Sequence, residues 1–145
     1  MIDMFQWQCT VNSAIWYRHN GDIERAITET LKAIEMTRPV RKFAKETADS
    51  LNYLADLCLL AGDDDPAEEA LRESIAFARP RYPHLLSANF WILGSMQLRQ
   101  GRVRKALASA QESLREARRL TKSNDYAVRR AEELIRDVRE RLATG

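Results

Sequence analysis

No apolar run in this chain approaches the ~20 residues that a membrane-spanning helix needs. The opening MIDMFQWQ lacks the basic start and the sustained apolar stretch of a secretory signal, so the expected compartment is the cytoplasm. Cysteine is scarce. Cys9 and Cys58 lie too far apart for a zinc pattern, and two thiols make no disulfide framework. The two histidines, His19 and His84, have no acid or nucleophile spaced to serve them. There is no glycine-rich phosphate loop, no HExxH and no Ser or Cys nucleophile with a plausible base. These absences argue against an enzyme, and no metal or cofactor is expected.

Glycine numbers 5 and proline 4 in 145 residues, and nearly all of them fall at places where helices would turn. Charged residues make up 30% and hydrophobic ones 45%, the ordinary mix of a soluble helical protein, and the length suits one domain with a substantial core.

What is present is a repeat. Aligned on Gly21, Gly62 and Gly101, the chain shows the same residue types at the same offsets. Five residues after each glycine stand Ala26, Ala67 and Ala106. Thirteen after stand Ile34, Ile75 and Leu114. Seven before stand Ala14, Ala55 and Gly94, and eight before stand Ser13, Leu54 and Leu93. Small residues facing one another let two helices approach closely, and larger neighbours fill the flanks. The glycine ends the first helix, where a left-handed cap costs least without a Cβ. A hairpin of this kind cannot bury its stripe alone and stacks on the next.

The third copy, Phe90-x-x-Leu93-Gly94 followed by Gln100-Gly101 and Ala106, resembles the tetratricopeptide repeat (TPR). The first copy carries Tyr17, Gly21, Ala26, Ala33 and Pro39. The second carries Leu51, Leu54, Ala55, Gly62, Ala67 and Pro80. Spacings of 41 and 39 residues between the glycines exceed the family's usual ~34, which points to longer helices similar to those of MalT-like regulators and kinesin light chains. Gln97 occupies a position where the family usually has an aromatic, and the third copy lacks a closing proline. The resemblance implies an all-α, right-handed α-solenoid of three TPR-like hairpins plus a C-terminal capping helix, about seven helices in all. Residues 1–145 then form a single domain, with repeats at about 3–39, 41–80 and 83–122 and the capping helix at about 124–143.

Two stretches invite closer reading. Asp63-Asp64-Asp65-Pro66 suggests a helix start, with Asp65 as cap, Pro66 at the first helical position and Glu68 completing a capping box. A longer turn there would give Ala70 the role assigned to Ala67. The first helix is unusually aromatic, and Ile2, Phe5, Cys9 and Trp16 fall near one face. That face either folds over its own second helix or forms an edge for a second copy of the chain, an upstream repeat or another partner. Cys58 takes the place of Tyr17 and reads as a buried core thiol.

Charge is uneven. Residues 1–100 hold 11 basic and 14 acidic side chains, net −3, whereas residues 101–145 hold 12 and 7, net +5. The basic helices allow a phosphate-binding surface, but acids interleave at helical spacing and no nucleic-acid-binding motif accompanies them. Nucleic acid is therefore the lesser reading, and a protein or peptide partner the leading one.

In the TPR family the first helices of successive repeats line a concave groove. Carried onto this chain, the residues thirteen, ten, six and three before each glycine are Gln8, Val11, Ile15 and Arg18; Asp49, Asn52, Asp56 and Leu59; and Ala88, Trp91, Ser95 and Leu98, with Arg99 nearby. Phe90 fills the core slot, which turns Trp91 toward the groove as an anchor. The acidic middle favours a basic or amide-rich ligand. The resemblance thus implies a non-catalytic interaction module, either a free-standing adaptor, scaffold or chaperone-like protein or a sensory segment of a larger regulator.

Overall fold

The three turn glycines end their helices in the same way. Gly21, Gly62 and Gly101 have φ of 80°, 82° and 79°, the left-handed region that side chains with a Cβ avoid. At each, the glycine N–H donates to the carbonyl three residues back: Arg18, Leu59 and Leu98. The next N–H donates five residues back, from Asp22 to Tyr17, Asp63 to Cys58 and Arg102 to Gln97. This paired pattern satisfies carbonyls that a helix end otherwise leaves open. The following helix then starts at once, with Ala26, Ala67 and Ala106 donating to the carbonyls of Asp22, Asp63 and Arg102.

The computed structural model describes residues 3–120 and 125–145, and the fold is all-α. The helices are α1 (Met4–His19), α2 (Ile23–Thr37), α3 (Ala44–Leu60), α4 (Asp64–Ala78), α5 (Pro83–Arg99), α6 (Val103–Arg118) and α7 (Asp125–Thr144). A 3-10 turn, Arg41–Phe43, leads into α3, so the helix expected from residue 41 begins as a tighter coil. Asp3 caps α1 by accepting from the N–H of Phe5 at 3.0 Å, and Asp22 caps α2 by accepting from Arg25 at 3.2 Å. Ile2, the end of the third repeat at residues 121–122 and the break before α7 at residues 123–124 lie outside the described residues.

One local expectation is corrected. Helix α4 begins at Asp64 rather than after a cap at Asp65, because the turn at Gly62 has the same length as the other two. Pro66 is accommodated in the first turn, where N–H groups have no intrahelical partner. Ala67 therefore keeps its place in the repeat, fully buried like Ala26 and Ala106.

The chain divides into two compact units, Met1–Ala78 and Arg79–Gly145. In the first, α1 pairs with α2, α3 pairs with α4, and the two hairpins stack through α2 and α3. Ile34, Leu51, Leu57 and Leu71 are buried, each contributing roughly 1.5–3 kcal/mol by removal from water. Between the hairpins Thr47 donates to Thr37 at 2.8 Å, keeping two buried hydroxyls satisfied.

In the second unit α5 pairs with α6, and α7 packs on both. Gly94 shows why its position excludes a larger residue. A Cβ there would lie 3.0 Å from Leu134 Cδ2, 3.2 Å from Ser109 Cβ and 3.3 Å from the Ala106 carbonyl. Gln97, in the usual aromatic slot, is buried and accepts a 2.6 Å hydrogen bond from Ser109.

Candidate partner-binding surface

Position fourteen before the turn glycine separates the first hairpin from the other two. In α3/α4 that residue is Ala48, and its carbonyl accepts a 2.7 Å bond from Ser74. In α5/α6 it is Ser87, which exchanges bonds with Ser113: Ser87 donates to the Ser113 carbonyl at 3.0 Å and Ser113 to the Ser87 carbonyl at 2.8 Å. Both pairs need small side chains for backbone and hydroxyl to meet. In α1/α2 the corresponding residues are Trp7 and Ala33. An indole cannot make that close approach.

Where α1, α2 and α3 converge there is a cavity of about 260 Å³. Trp7, Val11, Ala14, Thr30, Ala33, Asp49, Ser50, Asn52 and Tyr53 line it. Thr30 donates its hydroxyl to the Ala26 carbonyl at 2.7 Å, which leaves its oxygen able to accept. The Trp7 indole N–H and the Tyr53 hydroxyl are buried and have no hydrogen-bond partner among the described residues. Beside them Arg18 of α1 pairs with Asp56 of α3 at 2.8 Å and lies over the Tyr53 ring, 5.5 Å from its centroid. Both partners of this ion pair are 38% exposed, so water screens it and it is worth no more than about 1 kcal/mol.

Of the residues expected to line a groove, Val11, Asp49 and Asn52 meet at this cavity, and Arg18 and Asp56 meet as the ion pair. Gln8 and Ile15 are exposed on α1, and Leu59 is half-buried on α3. In the second unit the corresponding residues have other surroundings. Trp91 and Leu98 pack against a cluster of Ala106, Ala110, Leu134, Ile135 and Val138. The guanidinium of Arg130, from α7, lies 4.9 Å from the Trp91 ring centroid and 5.4 Å from that of Tyr126. Ser95 donates back to the Trp91 carbonyl at 2.8 Å, and Arg99 is exposed.

Trp7 and Tyr53 are the functional candidates that the groove offsets miss. Trp7 had a signal, since it replaces a small residue found in the other two copies. Tyr53 had none.

Two other features bear on partners. Phe5 and Trp16 of α1 are 77% and 62% exposed, and Trp16 meets Tyr17 edge-on at 5.4 Å. A second, more open cavity in the second unit is lined by Arg118, Arg136 and Arg139 together with Glu132, Glu140, Leu114, Ile135 and Ala143. Its charges are mixed. The neighbouring surface of α6 is internally paired, with Arg115 on Glu112 at 2.7 Å and Arg119 on Glu116 at 3.1 Å. No described helix is long and apolar enough to cross a membrane.

The fold and these turns define a class of helical-hairpin repeat proteins. A family model described as tetratricopeptide repeat matches residues 7–79, which is half of the chain and nearly the whole first unit. The chain belongs to the tetratricopeptide repeat family, whose repeats generally mediate protein–protein interaction. Comparison with curated proteins finds no match. The third hairpin lies outside the matched span yet repeats its turn bond for bond.

Proposed function

We propose that the chain is a non-catalytic interaction module that holds a peptide or partner helix against α1 and α3 of its first unit, as an adaptor, scaffold or chaperone-like protein of the cytoplasm. One observation carries this reading. Val11 of one hairpin and Asp49 and Asn52 of the next, all expected to line a groove, meet at one cavity beside the Arg18–Asp56 pair. Gln8, Val11, Ile15, Arg18, Asp49, Asn52, Asp56 and Leu59 are the proposed binding residues. Trp91, Ser95, Leu98 and Arg99 are the corresponding residues of the second unit, where Trp91 and Leu98 pack against the cluster that α6 and α7 form.

The test is a selection of displayed random peptides on the purified chain, followed by affinity measurement on Asp56→Lys. Reversing that charge should weaken basic or amide-rich peptides by roughly tenfold, the usual scale for a charge reversal at a polar contact. Failure to select any peptide, or equal affinity for the variant, overturns the reading.

A second reading is favoured by the exposed rings of Phe5 and Trp16. On it, this chain is a sensory or regulatory segment, similar to the repeats of MalT-like regulators, and α1 docks a second copy or an upstream repeat. Light scattering of the wild type and of Phe5→Ser/Trp16→Ser separates the possibilities, because a dimer built on these rings becomes monomeric in the variant.

A further inference from the structure

The groove between α6 and α7 in the second unit carries charge that the molecule itself leaves unanswered. Its volume is about 610 Å³, and Leu114, Ile135 and Ala143 are its apolar lining. Arg118 of α6 and Arg136 and Arg139 of α7 line it together with Glu132 and Glu140. All five charged residues are exposed, and none makes an ion pair or a side-chain hydrogen bond among the described residues. Elsewhere on α6 the arginines are answered: Arg115 lies 2.7 Å from Glu112 and Arg119 3.1 Å from Glu116. Arg136 stands one turn from both Glu132 and Glu140, the spacing at which helix ion pairs form, and pairs with neither.

Charge and spacing together select the occupant. Glu132, Ile135, Arg136, Arg139, Glu140 and Ala143 fall at i, i+3, i+4, i+7, i+8 and i+11, one stripe along α7 that is roughly 16 Å long. A stripe of that spacing, with apolar positions among charged ones, is the face that one helix offers another. Residues 79–145 hold 15 basic and 7 acidic side chains, net +8, so the unit as a whole attracts an anion. Along the stripe, however, the order is acid, two arginines, acid. A polyphosphate backbone carries its charge evenly and would set phosphates against Glu132 and Glu140. It also offers no aliphatic side chain to Leu114 and Ala143. A peptide can place carboxylates opposite the middle arginines alone, with apolar side chains beside them.

We propose that this groove docks an acidic amphipathic helix from a protein partner. Carboxylates of that helix accept hydrogen bonds from the guanidinium groups of Arg118, Arg136 and Arg139, whose planar forks match them. Leucine-type side chains lie on Leu114, Ile135 and Ala143, walled by the aliphatic stems of the arginines. Glu132 and Glu140 repel acids placed one turn too far along in either direction, which sets the register. The site lies in the other unit from the peptide surface proposed above and does not rest on that reading.

The probe is a capped, dye-labelled peptide of about 12 residues, long enough to cover the stripe, with leucine along one face and glutamate flanking it at mid-length. Anisotropy titration with the full chain should give saturable binding that weakens as salt rises. Replacing the glutamates by glutamine should weaken binding by at least roughly tenfold, the combined loss of several exposed pairs. Arg118→Gln/Arg136→Gln/Arg139→Gln should do the same. These arginines are exposed and unpaired, so helical circular dichroism of the variant should match wild type. Arg136→Glu/Arg139→Glu should reject the glutamate peptide and bind its lysine counterpart, a reversal that loss of folding cannot produce. Asp56→Lys, in the first unit, should leave the titration unchanged.

No saturable binding, equal affinity for the glutamine peptide, an unaffected glutamine variant of the chain, or weakening by Asp56→Lys overturns the proposal. A thymidine oligonucleotide that binds through the same three arginines more tightly than the peptide overturns it in favour of a nucleic-acid surface. Light scattering tests the remaining occupant. A wild-type dimer that the triple glutamine variant converts to monomer means that a second copy fills the groove, and the acidic partner falls.

Discussion

At the position ten residues before the turn glycine, the first unit has Val11 and the second has Trp91. Both sit on the first helix of a hairpin, on the side facing the next helix. Trp91 packs against the cluster shared by α6 and α7 and is covered by the Arg130 guanidinium. Val11 borders a cavity. The same backbone plan therefore packs a tryptophan at one seam and borders a cavity at the other, and side-chain volume at this repeat position differs between them. Trp7 adds to it, because it replaces the small residue that draws α3 to α4 through Ala48 and Ser74, and α5 to α6 through Ser87 and Ser113. Two differences in opposite senses thus accompany the cavity: a large residue at the far end of the hairpin, and a small one where its sister carries an indole.

Four experiments would break or sharpen this contrast. Trp91→Ala should have the largest effect, removing about 3 kcal/mol from the second unit through lost packing against Ala106, Ala110 and Leu134. Chemical denaturation measures it, and a change under ~1 kcal/mol would mean the ring is not part of that core. Gly94→Val comes next. Its Cβ would stand 3.0 Å from Leu134 Cδ2 and 3.3 Å from the Ala106 carbonyl, so about 2 kcal/mol of overpacking strain is expected. The equivalent positions in the first unit, Ala14 and Ala55, already carry a Cβ.

Val11→Trp runs in the opposite direction. Filling the open seam as Trp91 fills its counterpart should raise the thermal midpoint by an amount equivalent to about 1 kcal/mol. A fall in the midpoint would show that the two seams are not geometrically equivalent.

The smallest effect concerns the position four before each glycine, which holds Cys58 in one hairpin and a hydrogen-bonded Gln97 in another. Burial, and secondarily the Asp63 charge, push the Cys58 thiol above its ordinary pKa. The folded state therefore holds this proton more tightly than the unfolded chain does. Stability from this source is full below the usual thiol range and declines as pH rises through it, because the unfolded thiol ionises first. Urea melts of the wild type should weaken at alkaline pH more than those of Cys58→Ala. Iodoacetamide should modify the exposed Cys9 well before Cys58.

The hairpin design was legible because it is local. Gly21, Gly62 and Gly101 carry a left-handed φ that their neighbours cannot easily adopt, and the alanines five residues later are fully buried in all three copies. Of the offsets expected to line a groove, Val11, Asp49 and Asn52 come together at one cavity, and Arg18 and Asp56 as an ion pair. Helix α4 was misplaced at its start because three aspartates and a proline each suit several positions of a first turn. Only the hydrogen bonds at Gly62 settle the register.

By itself the sequence determined the all-α repeat and the residues that pivot it, because turn geometry and helix period involve neighbours along the chain. Tertiary structure alone decided that Trp91 lies under Arg130 while Trp7 and Tyr53 line a cavity. Those outcomes depend on which helix arrives from the next hairpin and how much volume it brings. No spacing within one helix encodes that.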